Sequence, residues 1–231
     1  MDINKIKVVL VAGGVGKRMG KEVPKQFLVI NGKPIIIHTI QRFLEVFPAE
    51  NLIVTIKENQ FSQWNSFLNE FKIKGLHTTY GGEHRTDSVR NGLKAVKEND
   101  PQFSGYVLIH DAVRPFISKS FLQNFISQLL TNHKALITAC PVKNSLRKIT
   151  ENGTIAVNRE EFWEVQTPQG FLFSEIYEAY SQTQKNFSDD ASLYESYFSN
   201  PVVIAEYIPE NIKITTIIDL ILAEYLFKNG F

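Results

Sequence analysis

The sequence predicts an α/β fold, a three-layer α/β/α sandwich around a mostly parallel sheet, and three observations carry that prediction. Short apolar runs alternate with longer segments whose apolar residues recur at helical spacing, the pattern of βαβ units with right-handed crossovers. The first run, residues 6–11, is almost continuously apolar, as in a strand covered on both faces. A glycine-rich turn follows it directly, where open parallel sheets bind their ligands.

The elements follow in order. Pro34 suits a first helical position, and Ile36, Ile40, Phe43, Leu44 and Phe47 mark one face of the helix after it. Residues 51–56 form the second strand, and Phe61, Trp64, Leu68 and Phe71 the next helical stripe. Residues 77–80 are a short strand. Val89, Leu93 and Val96 face inward from a helix with Asp87 as its cap. Residues 106–109 are a strand, residues 121–129 a helix and residues 135–140 a strand again. The pattern breaks at Pro141. Residues 146–150 and 154–157 are β-like and flank Glu151-Asn152-Gly153, and Asn-Gly between two such runs signals a hairpin. That hairpin is either a surface flap or an arm that packs on another subunit. Helices at 175–180 and 191–197, a strand at 202–208 and an amphipathic helix at 217–227 complete the chain.

Composition narrows the function classes. Lys+Arg 25 against Asp+Glu 24 leaves a net charge of +1, so no broad positive field exists to hold a nucleic-acid backbone. One cysteine, Cys140, excludes an intrachain disulfide and multi-thiolate metal sites. No apolar run approaches the roughly 20 residues of a membrane span. The first seven residues lack a secretory pattern, so a cytoplasmic protein with neither membrane nor nucleic-acid partner is expected.

The loop after the first strand reads Ala12-Gly13-Gly14-Val15-Gly16-Lys17-Arg18-Met19-Gly20, followed by Pro24-Lys25-Gln26. Small residues let the backbone approach a phosphate chain and donate N–H groups to it. Arg18 follows Gly16-Lys17, so the loop is no Walker A motif. A dinucleotide site needs an acid after the second strand, and residues 51–57 have none. Lys17, Arg18, Lys21 and Lys25 instead suit a triphosphate whose leaving group is pyrophosphate. Further along, Arg85 is placed to tie its loop down through an ion pair. Asp111 faces a metal ion, accepts from a substrate hydroxyl, or pairs with Arg114. His110 is a packed strand-end histidine rather than a base.

Six ordered motifs carry a resemblance over nearly the whole chain. They are Ala-Gly-Gly-x-Gly-x-Arg-Met at 12–19, Pro-Lys-Gln at 24–26, Gly-Gly-Glu-His-Arg-Thr-Asp-Ser-Val at 81–89, His-Asp-Ala-Val-Arg-Pro at 110–115, Thr-Pro-Gln at 167–169 and Asn-Ile-Lys-Ile-Thr at 211–215. The first two resemble the sugar-phosphate nucleotidylyltransferases, and the set resembles the 2-C-methyl-D-erythritol 4-phosphate cytidylyltransferases of the non-mevalonate isoprenoid pathway.

The resemblance implies a Rossmann-like sheet of the nucleotide-diphospho-sugar transferase type, one domain over residues 1–231, and a dimerising β-arm at about residues 141–160. It implies that a substrate phosphate attacks the α-phosphorus of CTP, with Mg²⁺ as cofactor and Arg18 and Lys25 as transition-state stabilisers. Ala12, Gly13, Gly14, Gly16, Gly82, Glu83, Arg85 and Ser88 match CTP positions. Asp111, Ala112, Arg114, Arg159, Thr167, Ser188 and Lys213 match methylerythritol-phosphate positions, with Arg159 and Lys213 holding the nucleophile and Asp111 as the Mg²⁺ contact, direct or through water. Arg159 is lent by the neighbouring subunit of a homodimer. Glu83 stands where Asp is usual, Ser188 where Thr is usual, and Asn144-Ser145 where Asp-Thr is usual. The polyol relative, ribitol-5-phosphate cytidylyltransferase, shares most of the motifs and is the alternative.

Overall fold

A computed structural model describes residues 2–13, 23–131 and 133–231. The expected sandwich is present. Strand β1 (Ile6–Val11) opens it, and the short pair β2 (Val29–Ile30) and β3 (Lys33–Pro34) leads into α1 (Ile35–Leu44). There follow β4 (Leu52–Ile56), α2 (Phe61–Glu70), β5 (His77–Tyr80), α3 (Arg85–Asn99), β6 (Tyr106–Asp111), α4 (Lys119–Leu129) and β7 (Ala135–Pro141). The hairpin is β8 (Arg147–Thr150) with β9 (Gly153–Ala156). The chain returns as β10 (Trp163–Leu172), α5 (Phe173–Gln182), α6 (Asp190–Glu195), β11 (Val203–Ala205) and α7 (Ile217–Lys228).

The main sheet has the order β11-β7-β10-β6-β1-β4-β5. Strand β10 runs antiparallel to both neighbours, while the other pairings are parallel. Alternation along β1 builds both sides of the core. Val8 and Leu10 pack with residues of α1, α2 and α4, including Ile40, Phe43, Trp64 and Phe125. Val9 and Val11 pack with residues of α3, α5 and α6, including Leu93, Ile176 and Tyr194.

Four local readings change. Strand β10 went unread because Gln166, Thr167, Pro168 and Gln169 interrupt its apolar pattern, and a proline argues against an interior strand. Thr167 thus lies within a strand, at a register shift between Val165 and Gln169, and its bond to Pro168 is cis. Asp87 is not the cap of α3. His84 is, and Asp87 sits three residues in, where its carboxylate accepts from the His84 N–H. The last strand is only three residues long. Helix α7 is apolar on two faces rather than amphipathic. Leu220, Ala223, Leu226 and Phe227 pack inward, while Ile217, Ile218, Ile221, Leu222 and Tyr225 are exposed.

Gly170 tests the packing beneath β10. A Cβ there would lie 2.7 Å from Leu129, 3.0 Å from Leu108 and 3.1 Å from Phe125. Gly170→Ala should destabilise by about 1–3 kcal/mol, and an unchanged melting temperature would refute this contact.

Candidate functional site

The carboxyl ends of β1, β4, β5 and β6 point the same way and bring three loops together. Gly13 and Gly81 approach so closely that a Cβ on Gly13 would overlap Ser88 Oγ. The buried Ser88 hydroxyl is spent inside that junction: it donates to His84 O at 3.1 Å and accepts from Gly82 N at 3.0 Å. Its position shapes the Gly82 turn, and its one proton is spent on His84 O. Gly82 has its own constraint, since a Cβ would overlap Asp87. Glu83, next to it, is exposed.

Beside this junction lies a cavity of about 250 Å³ bordered by Ala12, Lys25, Gln26, Arg85, Asp111 and Lys213. Gln26, from the Pro-Lys-Gln motif, is buried, and its amide donates to Ala12 O and to Gln60 Oε1, both at 2.8 Å. That fixes the chain next to Lys25. A smaller cleft of about 60 Å³ adjoins it, sharing Arg85, Asp111 and Lys213 and adding Arg114, Thr167 and Ser188. Gly14, Gly16 and Arg18 lie outside the described residues. Ala112 is buried, its carbonyl accepting from Thr39.

Asp111 joins the two spaces. Its Oδ1 accepts from Arg85 Nε at 3.1 Å. Its Oδ2 lies 2.8 Å from Lys213 Nζ and 3.5 Å from Arg114 Nε. Burial alone would raise its pKa, but Arg85, Lys213 and Arg114 outweigh it and hold the carboxyl well below the usual range. The alternatives left open for Arg85 and Asp111 therefore meet: each is ion-paired, and each faces the cavity. Arg114 also donates to Asn211 O at 2.8 Å, tying the Lys213 segment to β6.

Behind Asp111, His110 is fully buried. Its Nε2–H donates to Arg114 O at 3.1 Å, so Nδ1 is left to accept from the Thr167 hydroxyl, 3.1 Å away. Thr167 Oγ1 in turn accepts from the Asp111 N–H at 3.1 Å. The chain of bonds needs a neutral ring, and burial lowers the imidazole pKa to about 4. Thr167, assigned to substrate from the motifs, is thus a strut that fixes the Asp111 backbone at the edge of the smaller cleft.

Arg159 stands apart. It lies in a short turn at the base of the arm, exposed, with its guanidinium donating to Lys143 O at 2.6 Å. It borders neither cavity of its own chain. The metal expectation also meets a difficulty. Among the described residues no three His, Cys, Asp or Glu side chains converge, and both Asp111 oxygens already face cations. The motifs implied one carboxylate contact, direct or through water, rather than a cage, and these pairings bear only on the direct one.

Motif reading missed Asp190 and Tyr180. Asp190 accepts from both terminal nitrogens of Arg85, at 2.9 and 2.7 Å, and from the Tyr180 hydroxyl at 2.5 Å. Two aspartates in succession, Asp189-Asp190, hide the division of labour. Asp189 caps α6 through Ser192 N at 2.7 Å, while Asp190 turns inward and is fully buried.

Lys25, Arg85, Arg114 and Lys213 against Asp111 and Asp190 leave a positive surplus at the strand ends. With the small-residue approach at Gly13, this defines an α/β nucleotidyltransferase, built to receive phosphates beside a nucleotide. The chain belongs to the IspD, or 2-C-methyl-D-erythritol 4-phosphate cytidylyltransferase, family, whose model matches residues 6–229. It is 40% identical over 221 residues to the 2-C-methyl-D-erythritol 4-phosphate cytidylyltransferase of Azobacteroides pseudotrichonymphae, covering 95% of this chain and 97% of that one. The bifunctional enzyme IspD/IspF of Rhizobium leguminosarum is 36% identical over 94% of this chain and 55% of its own length. The crystal structure of 4-diphosphocytidyl-2C-methyl-D-erythritol synthase from Anaerococcus prevotii superposes with a TM-score of 0.82 at 28% identity, covering 98% of each chain.

The buried neutral His110 predicts an acid sensitivity. Its folded value of about 4 lies below the unfolded value of 6.5, so between the two the unfolded chain binds more protons. Stability should fall as pH drops from 6.5 towards 4, by on the order of 3 kcal/mol in total. The further loss from protonating Asp111 comes below its ordinary value of 3.8. Denaturant melts across this range check it; a flat profile between pH 6.5 and 4 would contradict a neutral buried ring.

Proposed function

We propose that this chain transfers CMP from CTP to 2-C-methyl-D-erythritol 4-phosphate, releasing pyrophosphate, in isoprenoid precursor synthesis. The observation that carries the reading is the cationic cluster around Asp111, set between a cavity beside the glycine-rich loop and a smaller polar cleft. An oxygen of the substrate phosphate forms the new bond to the α-phosphorus of CTP. The bond to the bridging oxygen breaks, and its electron pair leaves with pyrophosphate. Little covalent chemistry falls to the protein, so its contribution is positioning and charge stabilisation.

In this scheme CTP occupies the larger cavity, its backbone contacts coming from Ala12, Gly13, Gly14 and Gly16 and from the turn at Gly82 and Glu83 that Ser88 shapes. Lys25 and Arg18 neutralise charge on the α-phosphate and the departing pyrophosphate. The methylerythritol phosphate lies in the smaller cleft against Asp111, Ala112, Arg114, Thr167, Ser188 and Lys213. Lys213, steadied by Asp111, holds the nucleophilic phosphate in line. Mg²⁺ would be held chiefly by the triphosphate oxygens, whose charge it would neutralise, and Asp111, whose oxygens face Arg85, Lys213 and Arg114, would contact it through water. The ribitol-phosphate alternative finds no favour among the relatives.

Residues 1–231 act here as one cytidylyltransferase domain in the cytoplasm, with residues 141–160 as a dimerising arm. Both strands of the arm are exposed along their whole length, including Ile149 and Ile155, and Phe162, Trp163 and Val165 continue the apolar exposure at its base. A lone two-stranded hairpin is marginal in water. In a homodimer each arm would be covered and each Arg159 would reach the other subunit's cleft.

Pyrophosphate release with CTP and Mg²⁺ should occur with methylerythritol 4-phosphate and not with ribitol 5-phosphate; the reverse preference would overturn the substrate reading. Arg18→Ala or Lys25→Ala should each lower turnover on the order of 10²–10³-fold. Mixing inactive Arg18→Ala with inactive Arg159→Ala should restore about a quarter of wild-type activity, because half the dimers then carry one intact shared site. No recovery in a mixture shown to exchange subunits would place Arg159 outside a shared site.

A further inference from the structure

We infer that Asp190, supported by Tyr180, is the positioning residue that turns Arg85 edge-on to Asp111 and so leaves one Asp111 oxygen for Lys213. The inference rests on the cytidylyl-transfer reading for its assay and deepens it.

The argument is one of hydrogen-bond geometry. A guanidinium prefers to grip a carboxylate with two parallel N–H bonds. Alone with Asp111, Arg85 would take both oxygens in that way and displace Lys213. Instead its two terminal nitrogens are engaged by Asp190 at 2.9 and 2.7 Å, and only Nε is left for Asp111 Oδ1, at 3.1 Å. Oδ2 remains for Lys213 at 2.8 Å. Burial disfavours the charge on Arg85, but Asp190 and then Asp111 more than compensate, so the guanidinium is held charged.

Asp190 can impose this orientation because it is itself fixed. It is the first residue of α6 and wholly buried. The N–H of Ala191 donates to Gln169 Oε1 at 2.9 Å, which ties the start of α6 to β10. The Tyr180 hydroxyl, from α5, donates to Asp190 Oδ1 at 2.5 Å. Gln169 thus fixes the backbone beside Asp190 and Tyr180 its carboxylate, and that carboxylate determines how Arg85 meets the cleft. The Tyr180 bond satisfies the buried carboxylate and, coming from α5, fixes the angle at which it meets Arg85.

The test is steady-state kinetics on Asp190→Asn, which keeps the shape and removes the charge, and on Tyr180→Phe, which removes one hydroxyl. Asp190→Asn should raise the KM for methylerythritol 4-phosphate at least tenfold and the KM for CTP by a clearly smaller factor, since Arg85 and Lys213 border the larger cavity as well. Tyr180→Phe should shift the same constant two- to fivefold in the same direction. A purely structural role would lower kcat with the folded fraction and leave both KM values alone, and that result overturns the proposal. So does an equal rise in both KM values. If Asp190→Asn fails to fold, Tyr180→Phe decides by the same criterion. Calorimetric titration of methylerythritol 4-phosphate onto wild type and Tyr180→Phe gives a readout without turnover. Wild-type binding without turnover would count against the transfer reading alone, and a weakened Kd in the variant would still support Asp190; an unchanged Kd would overturn it.

Discussion

The site depends on one carboxylate shared among three cations. Asp111 ends β6, the strand paired directly with β1, so its backbone is set by the sheet itself. Its N–H is fixed by Thr167 and its oxygens by Arg85, Lys213 and Arg114. These partners come from four different stretches of chain, each with its own structural anchor. An isolated buried ion pair is a weak source of stability, because desolvation offsets attraction. A shared one fixes several side chains at once, and an active site needs that more than it needs kilocalories.

Behind that carboxylate the polar groups are linked in sequence, although Arg114 Nε and Asn211 Oδ1 lack a hydrogen-bond partner among the described residues. His110 links Arg114 to Thr167, Asn211 donates to Thr167 O at 2.8 Å, and Thr138 donates to Pro168 O at 3.0 Å. The interruption of β10 at Thr167 makes this possible. A regular strand would spend its backbone groups on its neighbours, whereas the register shift between Val165 and Gln169 leaves the Thr167 and Pro168 carbonyls to side chains. The feature that hid β10 from periodicity is thus the one that lets it support the site.

Much of the layer architecture was legible because the strands and helices each keep one period. The run at 6–11 and the stripe at Phe61, Trp64 and Leu68 needed no partner to be read. The hairpin was legible from Asn152-Gly153 alone. Tertiary facts were not. Nothing in the spacing of Ser188-Asp189-Asp190 tells which aspartate caps a helix and which turns inward. That Ser88 bonds locally to His84 O and Gly82 N is likewise invisible in the motif. Helix α7 reads as amphipathic because an apolar stripe is expected to have one buried side, and only packing reveals a second stripe facing outward. Arg85 and Asp111 were each given competing roles, and the distinction dissolved: a group can be paired and still border the cavity.

The same pairing bears on how a nearly neutral protein would offer the proposed phosphate site. With a net charge of +1 overall, attraction at a distance is weak, so selectivity has to be local. Asp111 and Asp190 do not cancel the cluster; they hold its cations at fixed angles and leave a surplus. On the proposed reading, removing these carboxylates would raise the positive charge and yet weaken phosphate recognition, because Arg85 and Lys213 would lose the angles at which they face the cleft. More charge with less order is the poorer binding site, since the ordering must then be done by the substrate at the moment it binds.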